Sequence, residues 1–288
     1  MNITFYGGFN PMLRRDGIEK TLDFTVERGF SSVEYLDFPS EYVFTTDEAR
    51  TLKESLDRYG LKCACYSVAA NVMAQRGGMY GEKSGVEALK NCADRAVILG
   101  APYFHHTMTM GMPINVCPEE DFDNFFESLC DCAEEVGKYA NSIGLTVLYE
   151  PQGPFVNGIE RFGRLYYEMK RRGLDVYVCG DVGNTLFADT SPVDFYKKFA
   201  AEVRHVHLKD YVTDRSDEFP CSPTAFSLSG TALNEVGLCK GEIDVRACIE
   251  LFKDNGYHGA FAIENFLLDY SAPDMERDIA LVNELYGK

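Results

Sequence analysis

Four polar residues stand at points where apolar runs of the sequence end. The runs TVLYE, YVCGD, VRHVH and FAIE finish at Glu150, Asp181, His207 and Glu264. A stable core favours valine or leucine at such positions, so each acid or imidazole needs a chemical reason to be there. Carboxylates and imidazoles bind metal ions and transfer protons in enzymes. These residue types therefore indicate a metal or acid/base site, provided that the fold brings them together.

The elements that must position these residues alternate regularly along the chain. Eight short apolar segments, rich in β-branched and aromatic residues, are predicted to be strands; they span residues 3–8, 31–36, 61–68, 101–106, 145–150, 174–181, 203–210 and 259–264. Eight amphipathic segments are predicted to be helices, and all but one end in glycine, a common helix C-cap; they span residues 17–29, 46–60, 83–100, 121–144, 161–173, 191–202, 242–256 and 272–287.

Strict alternation of strands and helices predicts parallel strand pairing, and eight such units predict an α/β fold of the (β/α)8 TIM-barrel type. The length of 288 residues suits a single domain over residues 1–288, and no linker interrupts it. A doubly wound open sheet is the alternative, but the glycine-rich phosphate turn usual after its first strand is missing.

Two connections are long, residues 107–120 after strand four and residues 211–241 after strand seven. Both would open on the C-terminal face, where barrel sites form.

In a closed barrel the ends of strands five to eight are neighbours, so their polar residues would converge. Period-two alternation directs Glu150, His207 and Glu264 into the barrel. Three carboxylates brought together require a compensating cation. A divalent metal held by these residues and Asp181 would supply it, and the oxygen-rich set favours Mn²⁺, with Co²⁺, Mg²⁺, Fe²⁺ and Zn²⁺ also compatible. A structural ion-pair network around Lys209 is the alternative.

Other polar residues of the strands give weaker evidence of a place in the functional site. His106 is expected at the same mouth, but its neighbour His105 could equally hold that position. His205 points inward one layer deeper and is expected to be a hydrogen-bonded core residue. Glu34 on the second strand is expected to be an interior polar residue without a catalytic part.

These motifs, taken in order, resemble those of the xylose isomerase-like TIM-barrel superfamily. The likeness is to its sugar (phosphate) isomerase/epimerase branch, which includes ketose 3-epimerases and inosose dehydratases. It spans nearly the whole chain, and the segments that carry it are YEPQ (149–152), CGDVGN (179–184), RHVHLKD (204–210), KGEIDV (240–245) and NGYHGAFAIE (255–264).

The resemblance implies that Glu150 and Glu264 are the catalytic acid/base pair as well as metal ligands. Moving a proton next to a carbonyl needs a base on one face of the carbon, and epimerisation needs an acid on the other. The metal would polarise the carbonyl and stabilise the enediolate. One departure is that the family's Asp-x-x-His motif here ends in Asn184. Asn184 can hydrogen-bond a sugar hydroxyl but cannot carry a proton, which argues against the histidine-rich nuclease branch.

The expected function is that of a metal-dependent sugar or sugar-phosphate epimerase or isomerase. Its substrate would be a small carbohydrate, contacted by Asn184, His106 and Lys209. The alternative is a dehydratase or lyase on the same site, resembling inosose dehydratases or C-glycoside-cleaving subunits, because both begin with the same proton abstraction. A non-catalytic metal- or sugar-binding barrel is disfavoured because all four ligands are intact.

The composition restricts the partners. A net charge of −17 without a cluster of lysines and arginines argues against nucleic acid. No run approaches the ~20 apolar residues of a membrane span. Ten cysteines without a CxxC pair or a signal-peptide pattern favour a reducing cytoplasm. A homo-oligomer is left open.

Overall fold

Eight parallel strands close into a barrel in the computed structural model of this chain, which describes residues 3–39, 44–74, 85–112, 118–213, 225–265 and 273–287. The strands of these residues are β1 (Ile3–Phe5), β2 (Ser32–Asp37), β3 (Lys62–Val68), β4 (Tyr103–His106), β5 (Thr146–Tyr149), β6 (Val176–Asp181), β7 (Val203–Leu208), β8 (Asp210–Thr213), β9 (Ala225–Phe226), β10 (Ala232–Val236) and β11 (Phe261–Ile263). The barrel runs from β1 to β7 in chain order, and β11 pairs with both β7 and β1 to close it. The predicted (β/α)8 TIM barrel is confirmed.

The helices lie between the strands, as the sequence predicts, with one addition. They are α1 (Phe9–Asp16), α2 (Ile18–Glu27), α3 (Thr46–Tyr59), α4 (Gly85–Leu99), α5 (Pro118–Ser142), α6 (Ile159–Arg171), α7 (Pro192–Phe199), α8 (Val245–Asp254) and α9 (Pro273–Gly287). The sequence analysis does not predict α1, which Gly17 separates from α2 with a φ of 83°. Of the described helices, none combines the length and apolar character that a membrane crossing requires.

Local sequence signals explain where individual helices begin and end. The Thr45 side chain accepts a hydrogen bond from the backbone of Glu48, and the Glu48 carboxylate accepts one from the backbone of Thr45. This capping box starts α3, and Gly60 ends it in the left-handed conformation with a φ of 68°. Such caps fix the length of a helix and thereby the point at which the next strand enters the barrel.

The connection after β7 contains a small antiparallel sheet that the sequence analysis describes only as a long loop. Its strand order is β8, β10, β9. The predicted strand 203–210 therefore splits at Lys209, with Asp210 starting β8. Residues 113–117 and 214–224 of the two long connections lie outside the described residues.

The apolar core lies mainly outside the strand ring. Val147, Tyr149, Val206 and Leu208 belong to the large cluster that packs the strands against the helices. Inside the ring, Leu148 forms a small separate cluster with Cys65 and Cys179, against which Tyr103 and Tyr177 pack. Many of the remaining interior positions are polar, so the strands place polar side chains inside the barrel and apolar side chains outside it.

Asp210 ties the beginning of the β7 connection to its end. The buried carboxylate accepts backbone hydrogen bonds from Tyr211 at 2.8 Å, Gly241 at 2.8 Å and Ile243 at 3.1 Å. A side chain at Gly241 would collide with it, because a Cβ there would lie 2.2 Å from Asp210 Oδ1. This carboxylate therefore anchors the start of β8 to residues 241–243, at the end of the connection.

The first prediction concerns this anchor. Asp210→Ala would leave three backbone N–H groups without their acceptor, and we expect the free energy of unfolding to fall by about 3 kcal/mol. Urea unfolding followed by circular dichroism measures this change. Asp254→Ala, at an exposed aspartate of α8, is the matched control and should change stability by less than about 0.5 kcal/mol. Equal effects of the two variants would contradict the anchoring role.

Candidate metal centre

The fold brings together the four residues that the sequence predicts as metal ligands. Glu150 follows β5, Asp181 ends β6, His207 lies in β7 and Glu264 follows β11. Each offers a ligand atom, and these atoms all lie within 4.8 Å of one another. All four residues are buried, the most exposed being Glu264 at 7%. They form the candidate metal centre, and their role as ligands remains a prediction.

A register shift aligns two of these residues. Asp181 lies opposite His207 because the pairing of β6 with β7 shifts by one residue after Val178. Without this β-bulge, Asp181 would lie beside Val206, whose side chain faces the helices. The strand ends thus meet at one level of the C-terminal mouth.

His207 is held on three sides. Its Nδ1 lies 2.9 Å from Glu150 Oε1 and 3.2 Å from Glu264 Oε2. Its Nε2 lies 3.0 Å and 3.2 Å from the two carboxylate oxygens of Glu34. The ring of Tyr6 stacks on the imidazole with centroids 4.5 Å apart. The orientation of the imidazole is therefore fixed by contacts on both nitrogens and on one face.

The pKa of His207 lies well above its ordinary value. Burial acts to lower this pKa, but the Cys179 sulfur and the carboxylates of Glu34 and Glu150 outweigh it. In the absence of a metal ion, these neighbours thus favour the protonated imidazole of His207, which forms ion pairs with Glu34, Glu150 and Glu264.

Lys209 forms ion pairs with the acidic residues, and the sequence analysis gives such a network as the alternative to a metal site. Its Nζ lies 2.7 Å from Glu264 Oε1, 2.9 Å from Asp181 Oδ2 and 3.0 Å from Asn184 Oδ1. Burial acts to lower the pKa of Lys209, but Asp181 and Glu264 raise it well above its ordinary value. Lys209 is therefore an ammonium ion, and a side chain at Gly183 would displace it because a Cβ there would lie 2.2 Å from Lys209 Cγ.

The pKa values of the three acidic ligands reflect crowded negative charge. Burial raises the pKa of Asp181 well above its ordinary range. Lys209 acts to lower this pKa, whereas the negative charges of Glu264 and Glu150 raise it further. Burial also acts to raise the pKa of Glu150, but His105 and His207 outweigh it and hold the pKa well below its ordinary range. The pKa of Glu264 is likewise lowered, because Lys209 and His207 outweigh its burial.

A divalent cation fits this set of residues. Four buried acidic side chains, Glu34, Glu150, Asp181 and Glu264, face Lys209 and the imidazole of His207, so acidic groups outnumber these two cations even when both are paired. Within the described residues, Asp181 Oδ2 and Glu264 Oε2 are buried oxygens that accept no well-aligned hydrogen bond and have only ion-pair contacts, with Lys209 Nζ at 2.9 Å and with His207 Nδ1 at 3.2 Å. Three carboxylate oxygens and one imidazole nitrogen are a donor set suited to Mn²⁺ or a similar ion.

The histidines at the end of β4 differ in their surroundings. His105 points into the barrel, with Nδ1 2.9 Å from Ser67 Oγ and Nε2 3.5 Å from Glu150 Oε2. His106 points the other way, with its ring edge-on to Tyr149, and burial lowers its pKa to about 4. The predicted substrate contact of His106 is not tested, but its side chain lies away from the candidate metal centre. Strand alternation counted from the apolar Phe104 distinguishes the two histidines.

Two buried residues behind the ligands complete the network. His205 Nε2 lies 2.7 Å from Glu34 Oε2, as expected for a hydrogen-bonded core histidine. Glu34 itself contacts His207, which the sequence analysis does not anticipate. Its partner lies 173 positions away in the chain, and only the closed barrel brings them together.

The chain belongs to the xylose isomerase-like TIM barrel family, whose sequence model matches residues 22–284. It is 26% identical over 174 residues to an inosose dehydratase of Clostridium perfringens, a match that covers 59% of this chain and 52% of the relative. The chain thus spans about half the length of the curated relatives it matches.

Solved structures share the fold over the full chain. A xylose isomerase domain protein from Planctomyces limnophilus superposes with a TM-score of 0.70 at 17% identity, covering 100% of this chain and 95% of the other. A D-psicose 3-epimerase, determined in the presence of D-fructose, superposes with a TM-score of 0.66 at 14% identity and covers 100% of both chains.

The second prediction concerns protons released on metal binding. Because the pKa values of His207 and Asp181 both lie above their ordinary values, each group that is protonated must lose its proton before it can bind a metal ion. We expect Mn²⁺ affinity to rise with pH by up to about tenfold per pH unit for each proton released, and to level off once both groups are deprotonated. Calorimetric titration in buffers of different ionisation enthalpy measures both the affinity and the number of released protons. An affinity that is constant from acidic to neutral pH, with no proton released, would contradict His207 and Asp181 as ligands.

Proposed function

We propose that this protein is a metal-dependent enzyme that removes a proton next to the carbonyl of a small sugar or polyol ketone, leading to epimerisation or isomerisation. The supporting observation is the buried cluster of Glu150, Asp181, His207 and Glu264, with ligand atoms within 4.8 Å of one another. A divalent ion bound there, with Mn²⁺ the best match, would polarise the carbonyl and stabilise the developing enediolate charge.

Glu150 and Glu264 are the proposed proton carriers. They approach His207 Nδ1 from two sides, Glu150 at 2.9 Å and Glu264 at 3.2 Å, and they come from strands that are not neighbours in the barrel. This arrangement suits one carboxylate on each face of a substrate carbon. In the metal-free protein the lowered pKa of Glu150 keeps it ionised, which is the state that a general base requires. Glu264 has a different partner in Lys209, which suits a different role.

We propose a non-phosphorylated substrate. Among the described residues that contact the four ligands, Lys209 is the only lysine or arginine, and Asp181, Asn184 and Glu264 already hold its ammonium group. A phosphate group at this level would meet carboxylates instead of an uncommitted cation. Neutral hydroxyls can exchange hydrogen bonds with Lys209 and Asn184, which are the proposed substrate contacts.

Dehydration is the second candidate, and the similarity to inosose dehydratases favours it. The reaction also begins with proton abstraction next to a carbonyl, and then expels a hydroxyl group from the neighbouring carbon. The same base serves both reactions, so the residues of the candidate metal centre are compatible with either outcome.

The test follows hydrogen exchange in D₂O. Mn²⁺-loaded protein is incubated with a panel of ketoses and an inosose, and the products are analysed by mass spectrometry and NMR. Epimerisation would introduce deuterium at one carbon with an otherwise unchanged formula, whereas dehydration would remove one water. Absence of exchange with every member of the panel would count against both reactions.

The third prediction concerns the two glutamates. Glu150→Gln or Glu264→Gln would remove a proton carrier, and we expect the exchange rate to fall at least about 100-fold. Glu160→Gln makes the same charge change at an exposed position of α6 and should leave the rate unchanged. Wild-type exchange in both site variants would refute the assignment.

The fourth prediction separates metal binding from proton transfer. The double variant Asp181→Ala/His207→Ala would lose two of the four ligands, and its Mn²⁺ content after dialysis should fall to background. Elemental analysis measures this content, with Glu160→Gln as the fully loaded control. Undiminished metal in the double variant would place the ion elsewhere.

A further inference from the structure

We propose that Glu34 is a positioning residue that orients His207 for metal binding, an inference that rests on the proposed function. The two nitrogens of His207 face different partners. Nδ1 faces the candidate metal centre, 2.9 Å from Glu150 Oε1 and 3.2 Å from Glu264 Oε2. Nε2 faces Glu34, at 3.0 Å and 3.2 Å from its two oxygens. Glu34 therefore contacts the nitrogen that the metal does not use.

This contact selects one tautomer of the imidazole. A carboxylate only accepts hydrogen bonds, so Glu34 requires a hydrogen on Nε2 of His207. A neutral imidazole with its hydrogen on Nε2 presents the lone pair of Nδ1 to Glu150 and Glu264, where a metal ion would bind. Histidines that bind metals commonly donate their second ring N–H to a carboxylate in this way.

Glu34 is itself immobilised. Its side chain is fully buried, and it accepts hydrogen bonds from His205 Nε2 at 2.7 Å and from the hydroxyl of Ser67. The pairing of β2 with β3 shifts by one residue between Val33 and Glu34, so Glu34 lies opposite Cys65. A β-bulge of this kind re-aims a side chain, and here it accompanies a carboxylate aimed at His207.

Glu34→Gln tests the inference with little change in shape. The amide has one acceptor oxygen, and its NH₂ group would meet a ring N–H or turn the imidazole to the other tautomer. The hydrogen would then lie on Nδ1 and oppose metal binding. We expect Mn²⁺ affinity, measured by calorimetry on the full-length protein, to fall about 10- to 100-fold.

Glu160→Gln is the matched control. It makes the same chemical change at an exposed position of α6. Its Mn²⁺ affinity should stay close to that of the wild type. If Glu34→Gln fails to fold, Glu34→Asp carries the test, because it keeps the buried charge but withdraws the oxygens by one methylene, and its Mn²⁺ affinity should fall about tenfold.

A second readout separates positioning from general stabilisation. In protein labelled with ¹⁵N-histidine and loaded with diamagnetic Zn²⁺, the wild type should have a protonated Nε2 and a metal-bound Nδ1 at His207, and Glu34→Gln should lose this pattern. A folded variant at position 34 with wild-type Mn²⁺ affinity and unchanged ¹⁵N shifts would overturn the inference, even if its thermal stability falls. A wild-type protein that binds no Mn²⁺ would instead overturn the proposed function, and this inference with it.

Discussion

Burial of negative charge is the constraint on which the rest of this structure depends. The acidic side chains of Glu34, Glu150, Asp181 and Glu264 are all buried. A buried carboxylate is costly unless hydrogen-bond donors or cations surround it. His207 and Lys209 supply the positive charge, and each contacts more than one acid. Because every member of this network has several partners, displacing one side chain would break more than one contact.

The barrel tolerates this polar interior because its apolar core lies elsewhere. The outward side chains of the strands, such as Val206 and Leu208, pack with the helices and supply the hydrophobic stabilisation. The inward positions of the same strand carry His205 and His207. Alternate residues along one strand thus serve two separate purposes, which is why a pair of histidines can occupy an otherwise apolar run.

Much of the barrel and of the candidate site follows from the sequence. All strands of a parallel barrel end at the same rim, so acids that end its apolar runs must lie close together there. The grouping of Glu150, Asp181 and Glu264 could therefore be predicted from the sequence alone. Other features have no local signal. The segment FNPMLRRD of α1 contains few apolar residues and a proline, and β9 has only two residues, too few to express a period. The contact of Glu34 with His207 depends on barrel closure, which no local pattern encodes.

The two one-residue register shifts, at Glu34 in β2 and after Val178 in β6, have an evolutionary consequence. Moving a strand by one position exchanges its inner and outer faces while the backbone pairing survives. In each case the extra residue lies in the partner strand, Ala64 in β3 and Arg204 in β7. Loss of the codon for either residue would remove the shift that sets which side chain lies beside Glu34 or Asp181. The geometry of the site thus depends on two single inserted residues, each of which one mutational step can remove.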